Sequence, residues 1–366
     1  MSTTKQILLN EDFYDGYYHF TKDIEDYPDC WLYIVYSGRK YGKTYGGLRY
    51  FLARDLPIVY VKRTKKDVNF ITKTSRYGLD RTPYAPLNRD FGTDIDGINV
   101  EDGVGVYGRV QDGDIVGDPC AFVFSLNGVK DIKGFELSKA DAVVMDEFIP
   151  QLGEVVKRDE GEMLLSLYMT INRDREARGR KPLKLVLFSN CDDVSTPITR
   201  ELGVLDNIVE MEAAKRSTLY IKSRGIFIRH CTPEEFPKAK ENTENGIFKG
   251  MRGTKWLRKN LEGDFASNDF SNVMKMSIKK MKCFMRIDYQ GAPIFIYRNE
   301  ETGMHYACTS RGSYAYHYDL DKENDQKLFW VEHGIDLRIA CIEGKMKFEK
   351  YSYYDLIVNY KQLFRL

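Results

Sequence analysis

The feature that most restricts this chain is eight residues long. Ser37-Gly38-Arg39-Lys40-Tyr41-Gly42-Lys43-Thr44 follows the apolar run Trp31-Leu32-Tyr33-Ile34-Val35-Tyr36 and precedes Leu48, Phe51 and Leu52 at helical spacing. A buried strand, a glycine-rich turn and a helix in that order make a phosphate-binding loop. The glycines let backbone N–H groups turn inward around an anion, and the helix start adds the positive end of its dipole. On this reading Ser37, Gly38, Arg39, Lys40, Tyr41, Gly42, Lys43 and Thr44 line a nucleotide. Lys43 reaches the β and γ phosphates, and Thr44 offers a hydroxyl to magnesium. Arg39 lies inside the loop and can serve the same nucleotide. Ser37 stands where the motif usually has Gly, with Gly38 one place later. A glycine-rich connection that carries Lys-Thr by chance is the alternative.

A second stretch completes the site. Ala142-Val143-Val144-Met145 runs into Asp146-Glu147. On a parallel strand the two carboxylates fall at the carboxyl end, where ligands of open α/β sheets bind. Asp146 is then the magnesium residue, and Glu147 orients and polarises the attacking water. A strand followed by an acidic helix cap is the other reading. Leu183 to Phe188 is a further strand, and Asn190 just after it can sense the γ-phosphate or simply make an Asx turn. Arg173, Arg175, Arg178 and Arg180 follow a helix at 162–171. One of them could reach a neighbour's nucleotide, or they form a solvated ion-pair face.

The remaining strands are Ile58 to Val61 and Ala121 to Phe124, with shorter ones such as Val104 to Val110 in the Gly- and Asp-rich stretch 78–118. Strands apolar on both faces, alternating with helices, predict an α/β fold with a mainly parallel sheet. At 366 residues the chain has room for two or three domains. The expected division is 1–205 for the phosphate-loop domain, 206–245 for a linker and 246–366 for a smaller α+β domain. The last has hairpins at 285–298 and 304–309 and helices at 322–333 and 351–364.

Composition excludes several classes. With 55 basic and 54 acidic residues the net charge is +1, so no global field draws the chain to a polyanion or membrane. No apolar run approaches a membrane span, and Met1 to Asp12 lacks the apolar segment of a signal peptide. Seven cysteines without a C-x-x-C pair point to a reducing compartment. Local basic clusters remain: Lys62, Arg63, Lys65 and Lys66; Lys249, Arg252, Lys255, Arg258 and Lys259; Lys275, Lys279, Lys280, Lys282 and Arg286. Each could follow a phosphodiester backbone or be ordinary solvated surface. Thr64-Lys65-Lys66-Asp67 and Asp131-Ile132-Lys133-Gly134 match GTPase motifs in the wrong order and are read as accidents.

The loop with its internal arginine resembles the phosphate loop of phage large terminases. Val144-Met145-Asp146-Glu147-Phe148-Ile149 resembles the corresponding segment of the DNA-packaging ATPases of phi-29-like phages. So does Asn172-Arg173-Asp174-Arg175-Glu176 with the strand ending Ser189-Asn190. The resemblance covers the first two hundred residues and is fainter beyond. It implies an ASCE-type P-loop motor ATPase using ATP and Mg2+. Such a motor moves viral double-stranded DNA into a procapsid as a homo-oligomeric ring, a pentamer. It would work in the host cytoplasm, transiently at the portal vertex, with the portal connector and a structural packaging RNA as partners. Carried over, Lys43, Thr44, Asp146 and Glu147 are the nucleotide, magnesium and catalytic residues. Arg39 joins the catalytic set, and Arg173 and Lys65 act across the subunit interface. The C-terminal domain would be RNase H-like, a vestigial nuclease with Asp288 on its first strand. Lys249, Arg252, Lys255, Arg258, Lys279 and Lys280 are the nucleic-acid candidates. A DNA-cutting terminase, a helicase and a kinase are the alternatives.

Overall fold

The structure is a computed structural model that describes residues 3–10, 16–128, 135, 137–151, 153–173, 175, 177–244 and 246–365. Asp131 to Gly134 and part of the aromatic stretch from Phe13 to Phe20, a positional candidate for base contact, lie outside the described residues. The chain divides into two compact units. The first contains residues up to Glu201 and Met211–Ser267, and the second Leu202–Glu210 and Asn268–Leu366. No helix among the described residues is long and apolar enough to cross a membrane.

The first unit is built on one sheet of nine strands. They are β1 Leu32–Ser37, β2 Ile58–Lys62, β3 Ile95–Glu101, β4 Val104–Gln111, β5 Asp114–Ser125, β6 Ala142–Asp146, β7 Lys184–Asn190, β8 Thr218–Ile221 and β9 Ile226–Cys231. The order across the sheet is β3-β4-β5-β2-β6-β7-β1-β9-β8. From β5 to β9 every pairing is parallel, and antiparallel pairs occupy the two edges. The central strands are buried on both faces, as their continuous apolar runs require: every residue of β1 is buried. Each such side chain contributes about 1.5–3 kcal/mol of transfer free energy. β5 has two duties. Its ladder with β4 runs antiparallel from Asp114 to Phe124, and Ala121 to Ser125 also run parallel to β2.

Two strands lie in the stretch expected to be a linker. β8 and β9 extend the sheet beyond β1, and residues up to Ser267 stay with this unit. The polar composition of 207–260 hid Ile226-Phe227-Ile228, whose side chains are fully buried beside β1. Burial on a neighbouring strand overrides a window average that flanking charges dominate.

The second unit holds a mixed five-stranded sheet, ordered β13-β10-β11-β12-β14. The strands are β10 Lys282–Tyr289, β11 Ala292–Arg298, β12 His305–Cys308, β13 Tyr316–Asp319 and β14 Met346–Phe348. Strand alternation sends side chains to two faces. On one face Ile287, Ile294, Ile296 and Ala307 meet Phe329, Leu337 and Leu356 from the helical segments. On the other, Cys283, Phe295, Tyr297 and Tyr306 are covered by Met276, Ile278 and Met281.

Candidate active site

The turn at the end of β1 has the geometry its glycines allow. Lys40 and Gly42 both have left-handed backbones, with φ of 66° and 89°. Gly42 is the N-cap of the helix Lys43–Ala53. A Cβ at Gly38 would lie 2.4 Å from the Leu261 carbonyl oxygen, so the loop tolerates no side chain there. Leu261 and its neighbours close over the loop. The Tyr41 hydroxyl donates to the Leu261 carbonyl at 3.0 Å, and the Arg39 N–H donates to the Asn260 carbonyl. Tyr17 stands 3.5 Å from where a Gly42 Cβ would be.

Lys43 is buried. Its ammonium donates to Ser37 Oγ at 2.6 Å, to the Gly38 carbonyl at 2.8 Å and to Asn190 Oδ1 at 3.4 Å. Burial pulls its pKa below that of an ordinary lysine, only partly opposed by nearby acidic groups. None of these three acceptors carries a charge, so the ammonium is short of a counter-ion. The Thr44 hydroxyl donates to Asp146 Oδ1 at 3.0 Å. Lys43, Thr44, Asp146 and Asn190 therefore converge, brought together by a sheet order that inserts β7 between β1 and β6.

Glu147 follows β6 with a left-handed backbone, φ 61°. Such a conformation in a non-glycine residue persists only where its surroundings hold it. Here Arg63 does so. Its guanidinium binds the Glu160 carboxylate at 3.1 Å, Glu154 at 2.7 Å and the carbonyls of Glu147 and Phe148 at 3.4 and 2.9 Å. The Glu147 carboxylate accepts from Lys62 Nζ at 3.3 Å and from Gln151 Nε2 at 2.9 Å. Gln151 Oε1 in turn accepts from Arg39 at 3.1 Å, whose Nε donates to Asn260 Oδ1 at 3.0 Å. One hydrogen-bonded chain thus joins Asn260, Arg39, Gln151, Glu147 and Lys62. Burial pulls the Lys62 pKa down, but Asp146 and Glu147 outweigh it and the net shift is upward.

Sequence reasoning placed Lys62 and Arg63 in a basic cluster available to nucleic acid. The structure corrects this, because both are largely buried and hold carboxylates. A buried cation without such partners would carry a large desolvation penalty. Their exit from a buried strand was the available signal. Gln151 and Asn260 carried none. Thr64-Lys65-Lys66-Asp67 is a helix start: Thr64 and Asp67 form a reciprocal capping box on the helix Lys65–Ile71. Lys65 is half-exposed and ion-paired with Asp102 at 3.4 Å.

Arg173 caps the helix Glu160–Asn172 and is exposed. Arg175 has a structural place, bound to the Lys181 and Ser138 carbonyls and the Asp141 carboxylate. Lys40 is exposed and lies 5.3 Å from the Phe248 ring centre. Lys249, Arg252, Lys255 and Arg258 are exposed in the first unit, Arg258 paired with Asp264 at 3.1 Å. Lys279 and Lys280 are exposed in the second unit. Asp288, on β10, is held by Arg286 at 2.9 Å and His317 at 2.7 Å, which together lower its pKa against the opposing effect of burial. Among the described residues no three His, Cys, Asp or Glu side chains are placed to hold a metal ion.

The donor set suits a nucleotide with Mg2+. A hydroxyl and a carboxylate 3.0 Å apart are hard oxygen ligands of the kind magnesium takes alongside phosphates. The under-compensated ammonium beside them fits a phosphate.

No protein-family model matches the sequence, and no curated protein matches it. Solved structures do. The fold superposes on a chain of the bacteriophage Phi-29 viral genome packaging motor assembly with a TM-score of 0.63 and 17% identity, over 96% of this chain and 99% of that one. The Phi-28 DNA packaging motor matches with a TM-score of 0.58 and 14% identity, over 96% and 99%. At these identities the likeness is one of fold, and it spans both units.

Proposed function

We propose that this protein is a P-loop motor ATPase of the ASCE type that drives viral double-stranded DNA into a procapsid. The observation that carries the reading is the meeting of two stretches a hundred positions apart, Thr44 on Asp146, with Lys43 at their side. The fold shared with two phage packaging motors supports it.

Bound ATP and Mg2+ would supply the phosphoanhydride and the charge that polarises it. Lys43 would exchange its neutral acceptors for phosphate oxygens, and Thr44 and Asp146 would hold the metal. Asn190, on the ammonium, is positioned to report the state of the γ-phosphate. Glu147 is the general base for water, with Lys62 and Gln151 setting where its two oxygens point. Arg39, tied to Gln151, stands between the loop and that base. Arg173 and Lys65, both reachable from solvent, act across the interface of a homo-oligomeric ring. The exposed cluster Lys249, Arg252, Lys255 and Arg258 is proposed to follow duplex phosphates without reading sequence.

The second unit is read as an RNase H-like domain that does not cut. Asp288 has its oxygens on a guanidinium and an imidazole, where a two-metal nuclease needs a cluster of carboxylates. The portal connector and a packaging RNA remain the proposed partners at the portal vertex.

The test is the rate of ATP hydrolysis with and without double-stranded DNA, read beside the sedimentation state. DNA-stimulated hydrolysis by an assembled ring is the expected result. A titration in which no purine nucleotide is retained ends the reading. Arg173→Ala mixed into wild-type rings should lower activity more than in proportion to its share, and a proportional decline would remove the trans role.

A further inference from the structure

The helical segment from Glu323 to Ile342 buries Phe329, Leu337, Ala340 and Cys341 against its own sheet. Its outer side carries Leu328, Val331, Ile335, Ile339 and Ile342, all between 46% and 79% exposed. They recur at three- and four-residue steps, through a π-helical turn at Trp330–Gly334, and so form one stripe. Five large aliphatic side chains in a row are not scattered surface apolar residues. Glu332, Asp336 and Glu343 each follow a stripe residue by one position along one flank, where Glu332 accepts from the Tyr318 hydroxyl and Glu343 is ion-paired with Lys345 at 2.9 Å. The other flank has Lys327, ion-paired with Glu323 at 2.6 Å, and Arg338.

The opposite face of the same sheet presents the complementary surface. Met276, Ile278 and Met281 cover that face, and Met274, Lys275, Lys279 and Lys280 between and before them are exposed. From 274 to 282 there are four lysines, three methionines and no acid. Methionine suits an adaptable docking surface, and lysine suits a carboxylate row.

We infer that the acidic, apolar helix face of one C-terminal unit docks on the Met- and Lys-rich 274–282 face of the next copy of this chain. The partner is argued from charge. An antiparallel twofold pairing of the helix faces would set two carboxylate rows together, and a parallel one would offer each row only Arg338 and Lys327, the latter already paired with Glu323. A head-to-tail contact sets each row against lysines. Because donor and acceptor faces lie on opposite sides of one sheet, the contact repeats from copy to copy, which is how rings are built. The inference rests on the ring proposed above and names surfaces for it. A contact made of one helix face is smaller than the roughly 1,200–2,000 Å2 of a stable interface, so association through it alone is weak and salt-sensitive.

The experiment is sedimentation of the full chain at low salt, with binding of a fluorescent ATP analogue measured in parallel. Ile335→Glu should lower the association constant at least about tenfold. Asp336→Lys with Glu343→Lys should weaken association, as should Lys279→Glu with Lys280→Glu. An equimolar mixture of these two charge-reversed chains should recover pairing of one with the other, and one chain carrying all four changes should recover the full association. Unchanged association of the Lys279/Lys280 variant would overturn the inference, whether or not that variant has lost double-stranded DNA. Failure of the four-change chain to recover would overturn it as well. Retained nucleotide binding in every variant separates these outcomes from failure of the ATPase reading. Unchanged circular dichroism melting shows that the exposed substitutions leave the fold intact.

Discussion

Two sheets in this molecule each carry an aspartate at or next to the end of a strand beside basic groups, Asp146 as the last residue of β6 and Asp288 as the last but one of β10, and the two carboxylates are in different situations. Asp146 accepts from the hydroxyls of Thr44 at 3.0 Å and Tyr60 at 3.3 Å, with Lys62 Nζ 3.9 Å away and Lys43 nearby in need of a negative partner. Asp288 is closed off by a guanidinium and an imidazole within hydrogen-bonding distance. Residue type is the same, and the strand positions differ by one residue. What differs is whether the surrounding charges are already satisfied. The first arrangement can take a metal and an anion, whereas the second is complete as it stands.

The comparison can be attacked where it is strongest. Glu147→Gln keeps the shape of the side chain and one of its two accepted hydrogen bonds, and removes the base. Turnover should fall by about 10²–10⁴ while nucleotide binding persists, and steady-state hydrolysis with a binding titration checks both. Retained turnover would remove Glu147 from the chemistry. Next comes Arg63→Ala, which leaves Glu160 buried and unpaired. It should destabilise the protein by about 3–5 kcal/mol, read by denaturant unfolding. A loss below about 1 kcal/mol would mean that Arg63 does not hold the turn after β6. On the other sheet Asp288→Asn breaks a partly exposed pair. It should cost about 1 kcal/mol or less in the same assay and change no DNA-cleavage signal. A cleavage activity that vanished in this variant would make the two carboxylates alike after all.

The smallest effect is on pH. Burial lowers the Lys43 pKa, and a bound phosphate raises it again, so binding favours the protonated form. Nucleotide affinity should therefore weaken as pH rises on the alkaline side, starting below the 10.5 of an ordinary lysine. Equilibrium titrations across that range check it, and a flat profile would show that the ammonium is not the phosphate contact.

Much of the first sheet was legible. β1, β2, β6 and β7 announce themselves as apolar runs bounded by turns, and the loop between β1 and its helix is a local motif. The positions of Asp146 and Asn190 at the ends of β6 and β7 followed, because a parallel strand delivers its carboxyl end to one edge. β8 and β9 were lost, since a short buried strand between charged segments has no periodic signature of its own. Lys62 and Arg63 were misread because a cation's partner, unlike the cation, is not a local property. Glu160, which satisfies Arg63, lies 97 positions away.

Local chemistry alone therefore determined the glycine-rich loop, the adjacent carboxylates and the alternation of strand and helix, each of whose signals is carried by a short consecutive run of residues. Tertiary structure alone decided which charges are free to act. Asn260 reaches Arg39 across 221 positions, Gln151 reaches Glu147 by way of a left-handed turn, and Arg286 closes Asp288. The physical reason is desolvation: inside a protein a charge is defined by what surrounds it, and those neighbours are assembled by the sheet rather than by the order of the chain.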